Sequence, residues 1–500
     1  TMKQLFYLSL AFLAITGCRK IEMDGEKELV IVTKEVAPVG VVSNTITLSG
    51  RITKDTTLFA KDVNYLSGIV YVASGVTLTV EAGAKVQGKY SGSDVSALVI
   101  ARGGKIVAKG TAEKPIVFTS ASANPQSGDW GGIVICGKAP VNTTFNGTAG
   151  LLQVEGGIDN ASGDGLAGGT DAADNSGILS YVRIEYAGYA FQPDKEINSL
   201  TLAAVGNGTQ IDHIEVAYAK DDAYEWFGGT VNCKYLIAYK TQDDDFDTDN
   251  GYSGYVQFGL ALRDSAIADI SKSEAFESDN NSSGSTATPY TSAVFSNMTA
   301  IGPRASLYGT GNSLFLAGAH IRRNTKISIM NSVFMGWPNA LLIDASTGTP
   351  VDKNIDDSTI RFRFNILAGN GGLVNGVPTN VNAKYTASTS AATGKTTASI
   401  ESWIADTYYA NTATVNAVDA KLIQPFNYTS FDATPYAGTA SPAAGLLTFG
   451  IAGSYNYASN GNFTDPKLQD AFLKKVSFRG AIGLSGEDAT WWKGWTKWNY

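Results

Sequence analysis

The chain has 500 residues, 44% of them hydrophobic and only 17% charged, with 54 Gly against 14 Pro. That much apolar residue supports a large core and excludes a disordered chain. The 38 Lys plus Arg against 46 Asp plus Glu, a formal charge of -8, form no basic stripe and argue against a nucleic-acid partner. Two histidines, His213 and His320, leave little material for a Ser-His-Asp triad or a zinc site, so carboxylates must carry any chemistry.

The first segment reads as an export signal. Met2-Lys3-Gln4 precedes an apolar run from Leu5 to Ile15, then Thr16-Gly17-Cys18; eleven residues are too few for a bilayer span, which takes about 20. Ile15-Thr16-Gly17-Cys18 matches the lipobox pattern, so residues 1–17 resemble a bacterial lipoprotein signal peptide. The resemblance implies cleavage before Cys18, acylation of that Cys, and stable anchoring in a membrane, at the outer membrane or cell surface. The alternative is an ordinary N-terminal element with a buried Cys. Residues 18–44 open with the charged run RKIEMDGEKE and read as a solvated tether. The remaining cysteines, Cys136 and Cys233, sit in strongly β-patterned runs and read as buried free thiols, although an exported chain permits a bridge.

From Ile46 onward short apolar runs of period two alternate with Gly, Asn or Asp turns every 8 to 12 residues, as in GIVYVASGVTLTVEAGAKVQG. Many short strands follow, with helical periodicity nearly absent. One motif recurs: YVRIEYAG from Tyr181, HIEVAYAKD from His213, YLIAYKTQD from Tyr235, SNMTAIG from Ser296, NSVFMG from Asn331 and RFNILAG from Arg363. A barrel or sandwich gives no reason for that recurrence, whereas stacked coils do. The spacing tightens where Asp221, Asp222 and Glu225 are followed, each 22 residues on, by Asp243, Asp244 and Asp247. Twenty-two residues is about one turn of a three-faced solenoid. At this point the chain resembles the right-handed parallel β-helix proteins of the pectate-lyase-like group. The expected fold is all-β, a single right-handed parallel β-helix over residues 45–450.

In such a coil, equivalent carboxylates stack about 4.8 Å apart. Each like-charged pair then repels by about 3 kcal/mol at an effective dielectric near 20. A cation, a raised pKa or outward splaying must relieve that. Calcium, which accepts irregular carboxylate cages, is the expected ion, held by Asp221, Asp222, Glu225, Asp243, Asp244 and Asp247. Glu274-Ala275-Phe276-Glu277 echoes Asp222-Ala223-Tyr224-Glu225 at 52 residues, one coil plus one enlarged by a loop, so the acidic stripe is expected to cross three coils. A solvated acidic stack and a metal that only rivets the coils are the structural alternatives. The segment is similar to calcium-dependent polysaccharide lyases of family nine, and that resemblance implies β-elimination on a uronate glycan with a Lys or Arg base. Lys240 and Lys272 are the candidate bases, with Arg263 on the same stretch. Trp226, Tyr252 and Tyr255, beside Phe227, are candidate sugar-stacking aromatics, and Trp130 and Trp337 share that ambiguity with core positions.

Between Val377 and Thr397 the coil pattern fades into a Thr/Ala/Ser-rich stretch that reads as a surface insertion. Residues 451–500 are expected to form a C-terminal cap. A short helix is expected there, with Asp465 as N-cap, Pro466 at N1, and Leu468, Phe472 and Leu473 on one face. The last ten residues, WWKGWTKWNY, hold four of the eight Trp and read as a cap over the solenoid's open hydrophobic end, or as a sugar platform. The functional expectation is an envelope lipoprotein whose calcium-clamped β-helix binds an extracellular glycan without catalysis. The alternatives are a calcium-dependent lyase and a structural adhesin or spacer.

Overall fold

The computed structural model describes residues 43–92, 95–192, 195–303, 312–371, 373–374, 377–378, 381–388, 394–414, 460–483, 485–498 and 500. The signal-peptide, lipidation (Cys18) and tether expectations therefore lie outside the described residues, apart from Ser43 and Asn44. Among the described residues no helix is long and apolar enough to cross a membrane.

Among the described residues, twenty-six strands join in one parallel sheet that winds through successive rungs, and the fold is a right-handed parallel β-helix, the hand that parallel crossovers take. Two faces of each rung come from one run that bends in its middle. Those runs are Gly177–Glu185, Gln210–Ala217, Cys233–Tyr239, Tyr255–Leu262 and Val294–Ile301. The residue at each bend is left-handed: Tyr181, His213, Tyr235, Phe258 and Asn297, then Asn331 and Phe364, all with φ between 52° and 63°. A non-glycine residue there costs about 1–2 kcal/mol. Stacking of the bend side chains offsets part of it, with ring centroids 4.2 Å apart for Tyr181–His213, 4.5 Å for His213–Tyr235 and 5.2 Å for Tyr235–Phe258. The recurring sequence motif begins at or beside this column of bends. Inside, a continuous aliphatic and aromatic core runs from Leu58 to Ile404.

The C-terminal segment, expected as a cap on the open end, instead runs along the side of the solenoid, bonded to successive rungs from Arg183 to Arg363. Arg363 holds Asp465 at 2.8 Å, Asn331 donates to the Asn462 carbonyl at 2.9 Å, and Asn297 donates to that of Phe478 at 2.8 Å. Arg183 donates to the Trp495 carbonyl at 3.1 Å. Trp491, Trp492 and Trp495 are buried against Ile237, Tyr239 and Leu260 with the bend aromatics beside them, so these tryptophans are not a sugar platform. The helix expected after Asp465 is a single 3₁₀ turn, Pro466–Leu468, in which the Asp465 side chain accepts from the Lys467 amide at 3.0 Å. Side-chain anchors such as Gln257 Oε1, which accepts from Lys474 N at 2.8 Å, tie the following backbone to the solenoid, and a short helix has a costly nucleus. Within the Val377–Thr397 stretch, Ala383–Ala387 is a strand of the solenoid rather than insertion: it pairs in parallel with Leu341–Ala345 and extends the sheet. Cys136 and Cys233 are buried, unbridged thiols, and burial pushes Cys136 up to about 12.

One buried acid fastens the C-terminal segment. Glu215 is fully enclosed, accepts from the Lys497 amide at 2.9 Å, and faces the Tyr500 hydroxyl at 3.3 Å. Burial pushes its pKa up to about 8. The unfolded chain ionises this group near 4.3, so its folded form loses stability as pH rises from there through about 8. Glu215→Gln, neutral at every pH, is expected to stabilise the protein by on the order of 3 kcal/mol at pH 8 and by little at pH 4. Urea unfolding at the two pH values measures this, and an equal effect at both would refute it.

Candidate functional site

The third face of each rung carries the acidic stripe. Its strands are Leu200–Ala203, Tyr224–Phe227, Phe246–Asp249, Ser273–Ser278, Phe315–Arg322 and Leu341–Ala345. Their register sets Glu225 beside Asp247, Asp247 beside Glu277, and Glu277 beside His320. The 22-residue spacing is thus the true register of the first pair, and the next rung is enlarged to 30 by the loop after Leu262. Alternation sends the neighbouring residues inward, where Tyr224, Phe246 and Phe276 stack with centroids 5.6 and 5.2 Å apart. Acid out and aromatic in, repeated on three rungs, is the local reason for the stripe.

The stripe opens into a cavity of about 280 Å³ lined by nine carboxylates, from Glu155, Glu196, Asp221, Asp222, Glu225, Asp243, Asp244, Asp247 and Glu277. Asn198, Ser271, Lys272 and Arg322 complete the lining. All six residues of the expected metal set line this one cavity. Lys272 lies there too, donating to the Ser313 carbonyl at 3.1 Å. Lys240 does not: it stands at a different corner of the rung, with φ of 56°, paired to Asp264 at 3.1 Å and over the rings of Tyr218 and Tyr239. Arg263 is likewise withdrawn into a buried pair with Asp245.

The aromatic expectation is corrected. Trp226 and Tyr252 are fully buried, stacked 5.4 Å apart inside the solenoid, because alternation in Tyr224–Phe227 points Trp226 inward opposite Glu225. Tyr255 is half-buried against Val294, Leu468 and Leu473 under the C-terminal segment. Phe227 packs on Val141, Val154 and Ile158, and Trp130 and Trp337 are core residues. None of these aromatics lines the cavity.

Part of the acid is structural. Asp222 Oδ1 accepts from the Asp244 amide at 2.8 Å, and Asp244 Oδ1 accepts from the Glu274 amide at 2.6 Å, so one carboxylate per rung caps the next rung's backbone. Glu225 takes a hydrogen bond from Asn198, and Asp243 Oδ2 one from Ser271 at 2.9 Å. Asp243 Oδ1 and Asp247 Oδ1 are buried and have no hydrogen-bond donor. Burial first, then mutual repulsion, holds Asp221, Asp222, Glu225, Asp244 and Asp247 well above the usual carboxylate range. Burial pushes Asp243 up to about 8.

The far end of the cavity is balanced by protein cations. Arg322 binds Glu277 and, at 2.9 Å, Asp279. His320 Nδ1 meets Glu274 at 3.0 Å and its Nε2 meets Asp344 at 3.3 Å. Against the cost of burial, these acids hold His320 well above its ordinary value, and Arg322 with His320 holds Glu277 below its own. Among the described residues, four groups of three side chains have ligand atoms within 4.8 Å of one another: Asp221/Asp222/Asp243, Asp222/Glu225/Asp247, Asp243/Asp244/Glu274 and Glu274/Glu277/His320. Orphaned buried oxygens in a lining dominated by carboxylates fit a hard divalent cation, for which oxygen is the preferred donor.

Glu155, Glu196, Asn198 and Arg322 escaped the sequence reading. Glu155 and Glu196 come from excursions between rungs, near the hairpins Leu152–Gln153/Leu166–Ala167 and Ala190–Gln192/Lys195–Glu196, where no rung spacing marks them. The only local signal for Arg322 is that it stands two residues after His320.

The fold and the cavity define a parallel β-helix protein with an acidic, cation-competent cleft on one face. The family described as the pectate-lyase-like β-helix domain matches residues 50–412, and the chain belongs to that family. No curated protein and no solved structure gave a match.

Proposed function

We propose that this protein is an envelope lipoprotein that binds calcium in the cavity between Asp221 and Glu277 and, through it, an acidic extracellular glycan. The observation that carries this reading is the pair of buried, donorless carboxylate oxygens on Asp243 and Asp247 within a lining of nine acids. An anionic ligand has no approach to such a surface unless cations offset its charge and offer the ligand a coordination site. The family's fold agrees with a glycan-related role. Because the aromatics are buried, affinity would come from carboxylate–cation contacts, with Lys272 and Arg322 at the edges. Bound calcium would supply charge neutralisation for a uronate carboxylate.

A second reading rests on Lys272, which is among the residues lining the cavity. In β-elimination an uncharged amine takes the proton α to the uronate carboxylate. The electron pair forms the new C=C bond, and the C–O bond to the neighbouring sugar breaks, its oxygen leaving and gaining a proton. Calorimetry with polygalacturonate, with and without calcium, tests binding, and absorbance of the unsaturated uronate tests elimination. Calcium-dependent binding without new absorbance is the expected result. Absorbance that Lys272→Ala abolishes while binding persists would install the lyase reading, and no glycan binding in either condition would remove the glycan from both.

A further inference from the structure

The cavity's acids divide by what already balances them. Glu274 and Glu277 have His320 and Arg322, so the two of the four close groups that contain Glu274 already meet protein cations. Among the described residues, none of the five acids of the other two groups, Asp221/Asp222/Asp243 and Asp222/Glu225/Asp247, is ion-paired to a Lys, Arg or His, and Arg322 acts on Asp247 only through space. Their contacts are neutral: Asn198 on Glu225, Ser271 on Asp243, and the Asp244 amide on Asp222. Each group keeps its ligand atoms within 4.8 Å, the spread that ligands about 2.3–2.6 Å from one ion can have. The groups are distinct, since Asp221 and Asp243 belong to one and Glu225 and Asp247 to the other, with only Asp222 common. Each also holds one of the buried donorless oxygens, Asp243 Oδ1 in the first and Asp247 Oδ1 in the second.

Charge points the same way. The two groups comprise five carboxylates; one divalent ion would leave three charges unbalanced in one cavity, and two ions would leave one. Glu155 and Glu196 add further acid at the wall. Asp222, the one carboxylate common to both groups, is the residue placed to bridge. Two cations that share an oxygen stand about 3.5–4 Å apart.

We infer that the cavity binds two divalent cations, one on Asp221 and Asp243 and one on Glu225 and Asp247, with the Asp222 carboxylate shared between them. This rests on the cation reading given above and adds to it a stoichiometry and a division of ligands. It also gives the ligand's acid group a pair of adjacent cations to bridge.

The test is calcium stoichiometry of the full chain by native mass spectrometry and calorimetry, with circular dichroism of each variant as the folding control. Two ions per chain are expected. Asp221→Asn and Glu225→Gln should each retain one ion, because each leaves the other group intact. Asp222→Asn, whose Oδ1 still accepts from the Asp244 amide, should weaken both ions at least tenfold. One ion in the unaltered chain, lost equally in Asp221→Asn and Glu225→Gln, would overturn the two-ion site and leave the calcium reading standing. No ion in the folded, unaltered chain would overturn both. Should a variant fail to fold, the stoichiometry of the unaltered chain decides alone.

Discussion

Withdrawing calcium at pH 8 is expected to lower the unfolding free energy by about 2.7 kcal/mol for each ion that had been present at a hundredfold excess over its Kd. At pH 5 the same withdrawal should change it little. In the folded, metal-free protein, burial and mutual repulsion raise the cavity carboxyls, Asp243 to about 8, whereas the unfolded chain ionises them near 4. A raised folded pKa means that the unfolded state sheds its protons first. Metal-free stability is therefore fullest below about pH 4 and falls as pH climbs through about 8. Calcium binds the ionised carboxylates, so its contribution follows the opposite course, and binding near neutral pH should release protons. Urea unfolding with calcium or chelator at both pH values measures the stability. Calorimetry in buffers of different ionisation enthalpy counts the protons. A calcium effect equal at pH 5 and pH 8 would show that the acids are ionised without the metal and that the cavity is solvated decoration.

The second large effect lies behind the cavity. Arg263 and Asp245 are both fully buried and meet at 2.8 Å; the guanidinium also donates to the Thr241 carbonyl at 2.8 Å and to the Glu274 carbonyl. Burial raises Asp245 to about 6 against the pull of Arg263. The pair bridges the rungs that carry Asp244 and Glu274, so it spaces the acidic ladder from within. Asp245→Ala strands a buried guanidinium and is expected to cost about 3–5 kcal/mol. Arg263→Met with Asp245→Leu removes both charges and should recover most of that loss, because the desolvation penalty goes with them. Equilibrium unfolding of Asp245→Leu, Arg263→Met and the double variant completes the cycle. A loss below about 1 kcal/mol for Asp245→Ala would mean that water reaches the pair and that it does not set the rung spacing.

Much of this molecule was legible because a solenoid repeats. Short period-two runs, the motif that starts at or beside Tyr181, His213, Tyr235 and Asn331, and the 22-residue offset from Glu225 to Asp247 state the winding, and each is a local pattern that the rung enforces. The bringing together of Asp221, Asp222, Glu225, Asp243, Asp244 and Asp247 in one cavity follows from the same arithmetic. Lys240 failed as a cavity residue because sequence proximity says nothing about which of three corners a residue occupies; five or six residues of chain turn the backbone to another face. Trp226 and Tyr252 failed for a related reason, since alternation fixes that Trp226 and Glu225 face opposite ways but leaves open which of them faces solvent.

By itself, then, the sequence determined the winding, the rung length and the column of carboxylates, all properties of one repeat against the next. Only the tertiary structure decided which acids are compensated: Arg322 and His320 reach Glu277 and Glu274 from the adjoining rung, and Glu155 and Glu196 wall the opposite side from excursions without register. It also decided that the C-terminal tryptophans cover the flank. Those contacts join residues far apart in the chain, where the energy comes from burial and charge balance in a shared volume, quantities that no spacing along the chain encodes.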